Sequence, residues 1–179
     1  MGAIVSAANC SVVGTGDGAY TVIKIGGIDG AFDASAVSLS AVAEDVLVRL
    51  KPIGGGPFVA GLTADPFGGN DGASIPRAFS VGSGLARPYE SGTARSPIFP
   101  PDTYVWIRRS DGALDYLTGP TIEEAVARRI AGDAGAPLFF DSSIAATGGG
   151  FEVKFGAPAD FAPPRRRRAP NRLTLGLGF

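Results

Sequence analysis

Histidine is missing from all 179 residues, and cysteine, methionine and tryptophan occur once each. Without histidine, Ser-His-Asp and Cys-His catalysis cannot be built in their usual form. Histidine-ligated zinc goes with them, and a lone thiol cannot make a thiolate cage. The single Cys10 also excludes an internal disulfide framework. No run of about 18 apolar residues occurs, so no membrane-spanning helix is expected. The opening MGAIVSAANC lacks the basic and apolar regions of a signal peptide. Gly2 and Ser6 fit the short myristoylation pattern, which chance explains. No cofactor, no metal and no membrane partner are expected.

What is present is glycine and proline, 27 and 14 residues, in a chain that is 45% hydrophobic. Apolar residues are spread throughout, so a folded domain built of short strands and turns is expected rather than disorder. The length suits one domain with a real core, plus at most a small appendage. The segments AYTVIKI (19–25), VLVRLK (46–51) and FVAGLT (58–63) are rich in β-branched residues and are separated by glycine-rich breaks. The alternation of Val37, Leu39 and Ala41 with serines predicts a strand within 36–46. PLFF (137–140) and FEVKF (151–155) read as further strands flanking a loop, DSSIAATGGG. The fold class expected is all-β, a mainly antiparallel sandwich or barrel.

Residues 64–100 are dense in Gly, Pro, Ser and Asp and read as a long irregular region that serves an interface. TYVWIRRSDGALDYLTG (103–119) reads as a hairpin turned by Asp111-Gly112. One short helix is expected near 121–131. Thr121 and Glu124 form a capping box, Ile122, Ala125, Val126 and Ile130 share a face, and Gly132 supplies a stop.

Two glycine-rich stretches invite sharper readings. GTGDGA (14–19) matches a dinucleotide fingerprint, but strand-like residues follow where a helix is needed, so a hairpin or loop turn is expected. DPFGGNDGAS (65–74) offers Asp65, Asn70 and Asp71, too few oxygens for calcium, and reads as a plain loop. On the hairpin, Tyr104 and Trp106 fall on the face opposite Thr103, Val105 and Ile107. They are candidate partner-binding aromatics unless another element packs over them.

Charge is unevenly distributed. Residues 163–179 hold five arginines and no acid, while the remainder has 11 basic and 17 acidic groups. A body of net charge −6 thus carries a tail of +5. This divides the chain into a β-rich domain, 1–160, and an extended arm, 161–179, whose prolines disfavour a helix. Arg165, Arg166, Arg167, Arg168 and Arg172 are candidate partner-binding residues. Docking on an acidic protein is favoured over nucleic acid, which the acidic body would repel. Leu173, Leu175, Leu177 and Phe179 alternate with Thr174, Gly176 and Gly178, and so form one apolar face able to join a sheet edge.

In GGIDGAFDASAVSLS, SPIFPPDTYVWIRRSDGALDYLTG and PPRRRRAPNRLTLGLGF, the chain resembles small bacteriophage virion proteins. The resemblance implies a structural, non-enzymatic subunit that contacts other subunits of one assembly through loops and a terminal arm, located in the virion. No residue role follows from it. The alternative is a β-rich module that binds a glycan or receptor through the 64–100 loops and Trp106. A carboxylate-dependent enzyme ranks third.

Overall fold

The computed structural model describes residues 3–43, 45–69, 71–96, 104–110, 112–122, 126–130 and 137–161. Among these residues, fourteen strands pair into two antiparallel sheets of seven. The first sheet comprises β1 (Ile4–Ala8), β4 (Ala34–Ser38), β13 (Phe139–Ile144), β6 (Phe58–Thr63), β7 (Arg77–Gly82), β8 (Leu85–Glu90) and β9 (Thr93–Ala94), in that spatial order. The second comprises β12 (Val126–Ile130), β11 (Ala113–Thr118), β10 (Val105–Ser110), β5 (Val46–Ile53), β14 (Gly150–Gly156), β3 (Ala19–Lys24) and β2 (Cys10–Gly16). The expected all-β architecture is observed, and of the two forms expected, sandwich or barrel, it is the sandwich.

Period-two alternation places one row of most strands between the sheets. Phe58, Phe79 and Phe140 from the first sheet meet Phe151, Phe155 and Tyr116 from the second, all buried. Ring centroids lie 4.9 Å apart for Phe58–Phe151 and 5.2 Å apart for both Phe140–Phe155 and Phe79–Tyr116, the last two edge to face. These contacts join the layers.

The GTGDGA stretch is the β2–β3 turn. Gly16, Asp17 and Gly18 all have positive φ, and Gly18 accepts the Phe155 amide at 3.1 Å. A Cβ on Gly18 would lie 2.9 Å from the Phe155 carbonyl oxygen, so a side chain there is doubly disfavoured.

Three expectations are corrected. The helix near 121–131 is not formed over its second half. Val126–Ile130 is strand β12, paired with β11 from Thr118↔Val126 to Leu114↔Ile130. Joining a neighbouring strand outweighs a local capping signal, because weak helix propensity yields to tertiary context. Residues 64–100 are not irregular throughout, since 77–94 contribute β7, β8 and β9. Pro88 is tolerated in β8 because only two-residue β9 pairs beyond it. The DSSI of the expected 141–150 loop is strand. Its buried serines complete the ladder, with Ser142 Oγ bridging the Ala36 amide and carbonyl at 3.1 and 3.0 Å. The 103–119 hairpin stands as β10–β11. The arm, Arg165 to Phe179, and Asp111 lie outside the described residues.

Candidate functional site

Two outer faces remain once the core is filled, and they differ in chemistry. On the second sheet, the outward row runs Ala19, Lys154, Arg49, Trp106, Leu117. Tyr104 and Trp106 do lie on this face, but Trp106 is 1% exposed and is no platform for a ligand. Leu47, Leu117, Ile122 and Phe161 pack around it, and its Nε1 donates to the Gly119 carbonyl at 3.1 Å. Phe161, from the 3-10 turn Pro158–Phe161, stands 5.3 Å from it centroid to centroid. The chain's own last described turn therefore covers the aromatic that the sequence offered to a partner. Arg49 lies 4.4 Å from the Tyr104 ring centroid and 5.6 Å from that of Phe161, a cation–π cluster that holds this turn down.

The outer face of the first sheet is built differently. Paired registers place Ser35, Ser143, Val59, Ser80 and Arg87 in one row. Val37, Asp141, Gly61, Ala78 and Tyr89 form the next. One connection covers part of this surface and a second reaches its edge. Residues 64–76 place Ile75 against Val59, Ala78 and Tyr89. Their 3-10 turn, Gly72–Ser74, is capped by Asp71, whose carboxylate accepts the Ser74 amide at 2.9 Å. Residues 25–33 cross from β3 to β4, and the Phe32 carbonyl accepts Ser143 Oγ at 3.4 Å.

The 25–33 connection is fastened from inside. Tyr20, Val22 and Lys24 share the inward parity of β3, so a lysine occupies a core-facing position. Its ammonium is completely buried and donates to the carbonyls of Ile28 (2.7 Å), Ala31 (2.7 Å) and Ala145 (2.8 Å) and to the Asp33 carboxylate. Asp33 also accepts the Ile28 amide at 2.7 Å. These bonds, Lys24 first, lower the Asp33 pKa. Asn9 Nδ2 donates to the Asp33 carbonyl at 3.0 Å, and Asp29 accepts the Thr147 amide at 2.8 Å. The sequence reading missed Lys24; strict alternation from Tyr20 would have shown it pointing inward.

Asp141 is another buried charge-bearing group. It is 1% exposed, Oδ1 accepts the Ser142 amide at 2.7 Å, and Oδ2 has no hydrogen-bond partner among the described residues. Burial, with a contribution from nearby Asp65, raises its pKa to about 7, against the opposing effect of the Ser142 amide. Burial likewise raises the pKa of the Cys10 thiol, which is hydrogen-bonded to the Ser35 carbonyl at 2.8 Å. It behaves as a small core residue. Among the described residues, no cluster of three or more Asp, Glu, Cys or His side chains is placed to hold a metal.

At one end of the first sheet, the β5–β6 connection and the tight β7–β8 turn leave two adjoining depressions of about 290 and 320 Å³. They share Val81, Gly82 and Ser83. Ser80, Leu85 and Arg87 line one, and Gly54, Gly55 and Gly56 line the other. The Ser83-Gly84 pair, both at positive φ, makes the two-residue turn that raises the rim.

No protein-family model matches the chain, and no curated protein sequence matches it. Solved structures share its fold. The SPRY domain of human HERC1 matches with a TM-score of 0.54 at 9% identity, over 83% of this chain and 94% of that one. The exoplasmic/lumenal domain of VIP36, in a form bound to Ca2+ and Man3GlcNAc, matches with a TM-score of 0.54 at 12% identity, over 86% of this chain and 81% of that one. Stonustoxin matches at 0.55 and 9% identity, over 86% of this chain and 28% of its own. The class defined is thus a two-sheet antiparallel sandwich of the architecture seen in SPRY and VIP36 domains.

Proposed function

We propose that this chain is a recognition module whose end groove on the first sheet takes a short glycan. The observation that carries the reading is the groove itself, set on a sandwich of the same architecture as the VIP36 domain, which was captured with a mannose-containing oligosaccharide. Its chemistry suits a sugar. The Ser80 and Ser83 hydroxyls and the Arg87 guanidinium supply hydrogen bonds, and Leu85 offers an apolar patch for a pyranose C–H face. Gly54–Gly56 bring backbone amides to the rim without side chains in the way. The test is titration calorimetry with mannose-containing and other oligosaccharides on the wild type and on Arg87→Ser and Leu85→Ser. Micromolar-to-millimolar binding is expected, weakened by about 1–3 kcal/mol in Arg87→Ser, a lost charge-assisted hydrogen bond. Binding unchanged in both variants, or no binding to any glycan, would overturn the reading.

A second reading, a virion subunit that docks its neighbours, is favoured by one observation, the +5 segment attached to a −6 body. Mass spectrometry of purified particles, with copy number, tests it.

A further inference from the structure

The outer face of the second sheet holds a pair of like charges that the fold leaves unanswered. Lys154 on β14 stands directly across from Arg49 on β5, and both belong to the sheet's outward row. Cross-strand neighbours of this kind lie within about 5.5 Å of each other at Cβ, and like charges placed so are destabilising. Among the described residues, neither cation is paired with a carboxylate. Lys154 Nζ instead donates to the Asp160 carbonyl at 3.3 Å, while the Asp160 carboxylate accepts the Ala157 amide at 2.8 Å. Both cations lie near the Phe161 ring, the Lys154 ammonium 5.1 Å and the Arg49 guanidinium 5.6 Å from its centroid. The ring offsets part of the repulsion but brings no counter-charge.

Beside the two cations the surface is hollow. On its other side Lys154 faces Ala19, whose methyl group leaves the row short. The result is a depression of about 250 Å³ whose lining includes Thr15, Ala19, Thr21, Arg49, Glu152 and Lys154. Thr21 stands directly across from Glu152, and Lys51 lies 3.8 Å from the Glu152 carboxylate on the other side. The cations therefore occupy one end, and Glu152 with Thr21 the other. Each end calls for a different group. The Arg49 fork and the Lys154 ammonium suit a carboxylate or a phosphate. Ionised Glu152 can only accept hydrogen bonds, so its partner must be a donor, and the threonine hydroxyls serve in either sense. A small inorganic anion would leave Glu152 without that donor. A molecule with an anionic group at one end and hydroxyls at the other answers both. The volume falls below the roughly 300–1,000 Å³ of clefts for drug-sized ligands, which leaves room for one ring. We infer that this depression binds a single acidic sugar, its carboxylate or phosphate on Arg49 and Lys154 and its hydroxyls on Glu152, Thr15 and Thr21. The site lies on the other sheet from the Ser80–Arg87 groove and does not depend on it.

The test is titration calorimetry on the full chain at low ionic strength, with glucuronate, glucose 6-phosphate, glucose and acetate as probes. At least one of the two acidic sugars should bind about tenfold or more tightly than glucose or acetate. The tighter of the two tells carboxylate from phosphate. Ala19→Leu fills the depression and keeps every charge, and binding of the acidic sugar should be lost. Lys154→Gln should weaken it about tenfold or more and leave the response to glucose unchanged. Circular dichroism checks that both variants keep the fold. The whole series is repeated with Arg87→Ser added, so that any contribution from the other groove is read separately. Failure of either acidic sugar to bind better than glucose and acetate, binding that survives Ala19→Leu in the Arg87→Ser background, or binding that Arg87→Ser alone abolishes would overturn the inference.

Discussion

Lys24 shows how much one side chain can organise. Its ammonium replaces lost hydration with three carbonyls and one carboxylate, so burial is tolerated. Lys24→Met keeps the stem but strands those oxygens, and about 3–5 kcal/mol of stability should be lost, measured as a lower denaturant midpoint at unchanged slope. Asp141 acts in the opposite sense. Its carboxyl ionises near 3.8 in the unfolded chain and near 7 in the fold. Between those values the folded protein holds a proton that the unfolded chain has released, so stability falls as pH rises through the window. Asp141→Asn should flatten this decline. It should be near neutral at pH 4 and stabilising by roughly 1–4 kcal/mol at pH 8, read from thermal unfolding at both pH values.

At the scale of elements, strand β6 depends on a residue with no side chain. Gly61 sits in the first sheet's outward row between Asp141 and Ala78, and a Cβ there would run into the Arg77 carbonyl and the Ala78 backbone. Gly61→Ala should therefore cost about 1–3 kcal/mol through forced strand displacement, visible as a lower melting temperature. Strand β12 carries the contrasting lesson. Its capping box and apolar spacing read locally as helix, and what the sequence cannot display is the open edge of β11 that recruits Val126–Ile130 as a strand. Ser142 and Ser143 hid β13 in the same way, because serines look like loop until their hydroxyls are seen completing buried bonds.

On the scale of the whole molecule, the two sheets are locked by the phenylalanine layer. Phe151 touches both Phe58 and Phe140 across the interface. Phe151→Ala should cost about 3–5 kcal/mol, and both sheets should still melt in one transition, because the large core is shared between them and only small clusters lie on their outer faces. Calorimetric and van't Hoff enthalpies that agree would confirm the single transition, whereas two resolved transitions would separate the layers.

Composition and alternation by themselves determined the class of the molecule. The lack of histidine removed whole families of chemistry. The runs at 19–25, 46–51, 58–63 and 151–155 marked strands, and the Asp-Gly and Gly-rich breaks marked their turns, because side-chain period and turn dihedrals are local properties. The candidate site was scarcely legible. Arg87 and Ser80 lie within a stretch that read as irregular, and Lys24 within one that read as an ordinary strand. Trp106, conspicuous in sequence, is buried by Phe161, a residue 55 positions away. Which face of a strand meets the core, which loop lies over which sheet, and whether a charge finds partners are set by contacts between distant segments. Tertiary structure alone decides those contacts, since each depends on where the other segment has gone.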